Sequence, residues 1–137
     1  MTNNSDKDKK YLMKLNESDG PVFKIYNDPR YTRVGRILAH SGFDELPQLI
    51  NVFKGDMAFV GPRPLPPEEA TAIPKLYRQR FSVLPGITSS WIIKGAHNLK
   101  FTDWMKLDIY DIEQSSLKHD CLILIKTIWM MMKAIGS

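Results

Sequence analysis

The stretch Phe43-Asp44-Glu45-Leu46-Pro47-Gln48-Leu49 sets two adjacent carboxylates before a proline and an apolar run. Leu46, Leu49, Ile50 and Phe53 keep an i, i+3, i+4, i+7 spacing, which predicts a helix with one buried face. Pro47 is tolerated only in the first turn, where its missing N–H has no intrahelical partner, so the helix starts near Asp44. Gly55 closes it as a left-handed cap, with Lys54 in the last turn. Two readings of the carboxylates stay open. An Asp at a helix start accepts orphan backbone N–H groups, typically worth ~1 kcal/mol, and a Glu in the first turn favours the helix dipole. Ser41 is an alternative N-cap, and from spacing alone the helix-start reading is the plainer one. Yet a helix N-terminus also keeps a carboxylate ionised, and an ionised carboxylate is a nucleophile toward phosphorus or carbon. A second carboxylate beside it suits Mg²⁺, which takes a few carboxylates plus substrate phosphates.

Working outward, Gly20–Tyr26 predicts a short strand, Thr32–His40 a helix, and Asp56–Val60 an extended piece. Val34, Ile37 and Leu38 share one side of the Thr32–His40 helix, and Arg30, Arg33 and Arg36 another. The Gly61–Pro67 segment carries four prolines and is read as irregular. Residues 68–81 read as helical with a break at Pro74, residues 84–88 as a turn, and Trp91–Ile93 as a brief strand. Two helices close the chain, 101–114 and 117–134. The fold class expected is α+β, mainly helical, with short amphipathic helices and two or three short strands. Residues 1–19 read as a flexible polar leader, and 20–137 as one domain without an N-terminal membrane segment.

A 137-residue chain with 43% hydrophobic and 25% charged residues is ordinary globular composition. One cysteine, Cys121, excludes an internal disulfide and a Cys-based zinc site, and a reducing cytosolic setting is expected. The polar first twenty residues carry no signal-peptide core. The net charge of +4 permits phosphates or anionic lipid as partners without selecting either.

The basic residues near the dyad complete a phosphoryl-transfer pattern. Arg33, Arg36 and Arg63 lie within about twenty residues of it and would neutralise phosphate charge that repels a carboxylate nucleophile. Prolines on both sides of Arg63 confine its backbone. The competing readings are a plain proline-rich linker and a solvated arginine face. The last helix carries Ile128, Trp129 and Met130 among apolar residues that cover more than one face, with lysines at 118, 126 and 133. Lys126, Thr127 and Lys133 leave it well short of the roughly 20 apolar residues of a span. It is read either as core or as a helix lying on a membrane surface, with Ile128, Trp129 and Met130 toward lipid. Nucleic acid is not expected as a partner, because stacking aromatics and a reader motif are lacking around Arg30, Arg33 and Arg36.

Val34-Gly35-Arg36-Ile37-Leu38, the block from Asp44 to Met57, and Val60-Gly61-Pro62-Arg63-Pro64 together resemble the bacterial sugar transferase family. These are monotopic polyprenyl-phosphate phosphoglycosyl transferases. Pro85-Gly86-Ile87-Thr88 with Trp91, Leu107-Asp108-Ile109-Tyr110, and Leu117 through Thr127 are similar to its C-terminal half, in order. The resemblance covers residues 20–135. It implies transfer of a sugar-1-phosphate from a UDP-sugar to undecaprenyl phosphate, at the cytoplasmic face of the bacterial inner membrane, to start a surface glycan. Asp44 would be the nucleophile that forms a phosphosugar-aspartyl intermediate. Glu45 would help hold Mg²⁺, and Arg63 would contact the nucleotide or its phosphates.

The resemblance also has departures. Phe23 and Asp28 stand almost adjacent, where the family carries a basic segment between the matching elements. Ala39 and His40 replace basic residues, Ile92 replaces a Gln after the Trp, and Ala96 replaces an Arg. The alternative function is therefore a catalytically impaired, truncated family member that binds the membrane or a partner; the protein partner expected is a partner glycosyltransferase or a second copy of the chain in a homo-oligomer.

Overall fold

The structure, a computed structural model, describes residues 12–23, 25, 29–41, 43–95 and 99–135, with the backbone only at 13, 39–41, 43, 44, 134 and 135. Its described helices are α1 (Arg33–Ser41), α2 (Leu49–Phe53), α3 (Pro67–Ala72), α4 (Ser90–Ile93), α5 (Phe101–Glu113) and α6 (Leu117–Ile135). Three 3₁₀ segments, Met13–Leu15, Phe43–Gln48 and Lys75–Ser82, and two strands, β1 (Ala58–Val60) and β2 (Gly86–Thr88), complete the set.

Local chemistry explains most boundaries. Thr32 caps α1, its Oγ1 accepting from the Gly35 amide at 3.1 Å. Gly55 has φ +82° and ends α2 in the left-handed region. Pro67 opens α3 at a position that needs no amide donor. Ile73, forced out of the helical region by Pro74, is extended at ψ 127° and separates α3 from the Lys75–Ser82 helix.

The strands pair in parallel, with Ala58 opposite Gly86 and Val60 opposite Thr88. Such a pair needs a crossover, here supplied by residues 61–85. The Leu84–Thr88 stretch is therefore partly strand rather than a turn. Its strand character comes from a non-local pairing: Ala58 N donates to Pro85 O at 2.8 Å and Gly61 N to Thr88 O at 3.0 Å.

Three other expectations are corrected. Trp91–Ile93 belongs to helix α4, because Asp111 on α5 supplies the helix start from 21 residues away: Ser90 N donates to Oδ2 at 2.8 Å and Ser90 Oγ to Oδ1 at 2.5 Å. Residues 20–23 and 25 form no strand, while 24 and 26 lie outside the described residues. Most of the face predicted to be buried on the Leu46–Phe53 helix is exposed, with Phe53 at 87% and Ile50 at 58%, while Leu49 is half-buried. Periodicity identifies an apolar face, not what covers it.

The core lies between α4 and α5, where Val22, Ile73, Trp91, Phe101, Trp104 and Met105 form one buried cluster. Trp91 and Trp104 stack at 4.7 Å between centroids, and Phe101 meets Trp104 and Tyr77 edge-on. Asp19, within the predicted leader, accepts from the Phe101 amide at 2.6 Å and so caps α5. Residues 1–11 of that leader lie outside the described residues. Helix α6 packs on both strands. Thr127 donates its hydroxyl to the Ile123 carbonyl at 2.9 Å, which leaves Thr88 to donate to Thr127 Oγ1 at 2.7 Å.

Candidate active site

The Asp44-Glu45 pair opens a 3₁₀ helix rather than an α-helix, with Pro47 inside it. In a 3₁₀ helix, side chains three apart eclipse one another. Gln48 therefore stands over Glu45 and donates Nε2 to Glu45 Oε2. This leaves Gln48 Oε1 buried without a hydrogen-bond partner among the described residues. The Asp44 side chain lies outside the described residues; its backbone sits one position before Glu45, at the start of the same helix.

Helix α1, which carries Arg33 and Arg36, packs against the Phe43–Gln48 helix. Both arginines are exposed. Arg30 does not belong to their stripe: it precedes α1, is buried, and stacks over Phe23 with 5.2 Å from Cζ to the ring centroid.

Arg63 sits where the chain leaves β1. The backbone is anchored on both sides of it, as Gly86 N donates to the Pro62 carbonyl at 2.9 Å and Arg80 Nη2 to the Arg63 carbonyl at 3.0 Å. Its side chain is exposed, with Cζ 5.9 Å from the centre of the Trp91 ring. The described contacts of Arg63 thus lead to the α4–α5 side of the molecule, and Gln48 is one partner of Glu45.

Behind Arg63 lies a buried ion pair that sequence reasoning did not single out. Arg80 Nε donates to Asp108 Oδ2 at 3.0 Å and Nη2 lies 2.9 Å from the same oxygen. Both side chains are almost fully enclosed. Burial pushes the Asp108 carboxyl from its ordinary 3.8 up to about 6; Arg80 opposes that rise and the neighbouring Asp111 adds to it. Asp111 in turn accepts from Ser90, and its Oδ1 lies 3.0 Å from His119 Nε2. One signal in the sequence pointed here. Phe101, Trp104, Met105, Asp108 and Asp111 share the buried stripe of α5, so two carboxylates occupy positions that the spacing reserves for core.

The exposed apolar residues are numerous. On α6, Leu122, Ile125, Ile128, Trp129 and Met132 are exposed, Met130 is half-buried, and Lys133 Nζ stands 5.4 Å from the Trp129 ring centre. On α1, Val34 and Ile37 are 67% and 70% exposed. Among the described residues, no helix is long and apolar enough to cross a membrane.

Two donors of the kind that Mg²⁺ takes alongside water and phosphate stand at this helix: the Glu45 carboxylate and the Gln48 carbonyl oxygen, which is buried and has no hydrogen-bond partner among the described residues. Among the described residues there is no group of three His, Cys, Asp or Glu that could hold a metal on its own. Ala96 lies outside the described residues, as does the Ala39 side chain, whereas Ile92 packs against the core cluster.

Comparison with known proteins gives the same direction. A family model described as bacterial sugar transferase matches residues 1–134. A galactosyl transferase CpsE of Streptococcus agalactiae is 37% identical over 130 residues, covering 94% of this chain and 29% of the relative. A UDP-galactose-lipid carrier transferase of Erwinia amylovora and an undecaprenyl-phosphate galactose phosphotransferase of Salmonella typhimurium are each 36% identical over 115 residues, 84% of this chain and 24% of the relative. The chain therefore spans only about a quarter of the length of these relatives. Matched by that family model over residues 1–134, the chain belongs to the bacterial sugar transferase family.

Proposed function

We propose that the chain transfers a sugar-1-phosphate from a UDP-sugar to a polyprenyl phosphate, undecaprenyl phosphate in bacteria, at the cytoplasmic face of the membrane. The observation that carries this is the placement of Asp44 and Glu45 at the start of a 3₁₀ helix, with the Glu45 carboxylate gripped by Gln48. The names of the Erwinia and Salmonella relatives, which specify a UDP-sugar and a lipid carrier, support the substrate classes.

The chemistry follows from these residues. An Asp44 carboxylate oxygen attacks the sugar-bearing phosphorus of the UDP-sugar; the bond to the bridging oxygen breaks and UMP leaves. A phosphate oxygen of the polyprenyl carrier then attacks the same phosphorus and releases the Asp44 carboxylate, giving a lipid-linked pyrophosphoryl sugar. Arg63 holds the nucleotide phosphates, with Arg33 and Arg36 as a wider basic rim. Glu45 would help hold Mg²⁺, which would supply neutralisation of the pyrophosphate charge. Ile128 and Trp129 lie against lipid, with Met130 beneath them and Lys133 near the phosphates, an arrangement that suits an interfacial helix.

A second reading, an impaired member that binds membrane or a partner, is favoured by Ile92: a position where the family carries a Gln is here absorbed into the core fringe. Membrane-reconstituted chain, incubated with Mg²⁺, undecaprenyl phosphate and a panel of radiolabelled UDP-sugars, separates the two. Lipid-linked product that disappears in Asp44→Asn is the expected result. Absence of product from every sugar in the panel favours the binding reading.

A further inference from the structure

Arg80 is 2% exposed and Asp108 fully buried, which is a costly way to hold two charges. Apolar residues of similar volume often stabilise a core at least as well as a buried ion pair, so stability alone does not account for this one. The guanidinium does three things at once. It takes Asp108 Oδ2 with both Nε and Nη2, it donates Nη2 to the Arg63 carbonyl at 3.0 Å, and its Cζ lies 5.7 Å from the centre of the Trp104 ring. Trp104 stacks on Trp91, and the Trp91 ring lies under the Arg63 guanidinium. Arg63 is thus reached from behind by two routes, one through its own carbonyl and one through the ring beneath its side chain. The remaining backbone freedom of the segment is removed by Pro62, Pro64 and the Gly86–Pro62 hydrogen bond.

We propose that Arg80 and Asp108 are positioning residues for Arg63: the buried pair on the Lys75–Ser82 helix and α5 clamps the Arg63 carbonyl and the ring stack so that the exposed guanidinium is held ready for a nucleoside diphosphate. A lysine at 80 keeps the charge beside Asp108. As a compact point charge on a flexible stem, however, it lacks the planar fork that grips Asp108 and the Arg63 carbonyl together. The clamp acts on the nucleotide-binding arginine through its carbonyl and through the ring stack beneath it. The inference rests on the assignment of Arg63 to the nucleotide, and the test separates the two.

The test is UDP binding to the full chain in lipid nanodiscs with Mg²⁺, measured by calorimetry, for wild type, Arg63→Ala, Arg80→Lys and the double variant. Arg80→Lys is expected to weaken UDP about tenfold, and in the Arg63→Ala background to change Kd by less than about twofold, since residues acting through one another are non-additive. Circular dichroism reports folding, and Asp108→Asn serves as the second single variant if Arg80→Lys does not fold. If Arg63→Ala weakens UDP but the Arg80 and Asp108 variants do not, or if their effects add in full to that of Arg63→Ala, the clamp is overturned and the nucleotide assignment stands. If wild type fails to bind UDP, or Arg63→Ala leaves binding unchanged, both are overturned.

Discussion

Gly86 and Gly61 touch backbone to backbone: a Cβ on Gly86 would stand 2.1 Å from the Gly61 amide nitrogen, and one on Gly61 would stand 2.7 Å from the Leu84 carbonyl oxygen. This contact joins the segment leading to Arg63 to strand β2. Because the obstacle is backbone, Gly86→Ala is expected to cost about 3 kcal/mol or more, at or above the upper range of overpacking. Gly55→Ala meets nothing within 4 Å but sits at φ +82°, so its cost is about 1–2 kcal/mol from the left-handed conformation alone. Urea unfolding of both variants checks the order; a milder effect at Gly86 than at Gly55 contradicts the close packing.

Asp108 makes stability depend on pH. Its folded carboxyl holds a proton up to about 6, against an ordinary 3.8, with burial as the main cause. The folded state therefore binds more protons than the unfolded state in that window. The stability gained from the neutral form is fully present below about pH 4 and is lost as pH rises through about 6, a change on the order of 3 kcal/mol. Thermal unfolding of wild type and Asp108→Asn between pH 4 and 7 isolates it. The wild type should lose ground relative to Asp108→Asn as pH rises, and parallel curves refute the assignment.

Asp19 caps α5 across 82 positions of sequence. Asp19→Ala is expected to destabilise by about 1 kcal/mol, as for other lost caps, with Asp19→Asn nearly neutral. Denaturant midpoints measure both.

Much of this architecture was legible where the signals are local. The Gly55 cap, the break at Pro74 and the bounds of α5 and α6 all follow from residues within a few positions of one another. What escaped was settled at a distance. β2 exists because Gly61 and Gly86 allow two backbones to meet, and α4 is a helix because Asp111 reaches Ser90. Leu46, Ile50 and Phe53 carry the spacing of a core face, yet they are exposed, as are Val34 and Ile37. In the site, the Asp44-Glu45 helix start was readable from Pro47 alone. The Arg80–Asp108 pair, 28 residues apart, was visible only as a carboxylate in an apolar stripe.

The outward face of α6 bears on where the protein works. Trp129→Glu places a charge on its exposed apolar stripe and should reduce flotation with anionic liposomes by at least about tenfold, by removing apolar burial and adding repulsion. The exposed Leu122→Glu, further along the same face, should act in the same direction. Unchanged flotation of both variants would assign this surface to something other than lipid.

The most direct test of the central claim is a single turnover without the lipid acceptor. Chain mixed with UDP-sugar and Mg²⁺ alone should release about one UMP per molecule, as a covalent intermediate requires, and mass spectrometry should find a phosphosugar adduct on the peptide containing Asp44. Release of UMP only when polyprenyl phosphate is also present, with Asp44 unmodified, would contradict it.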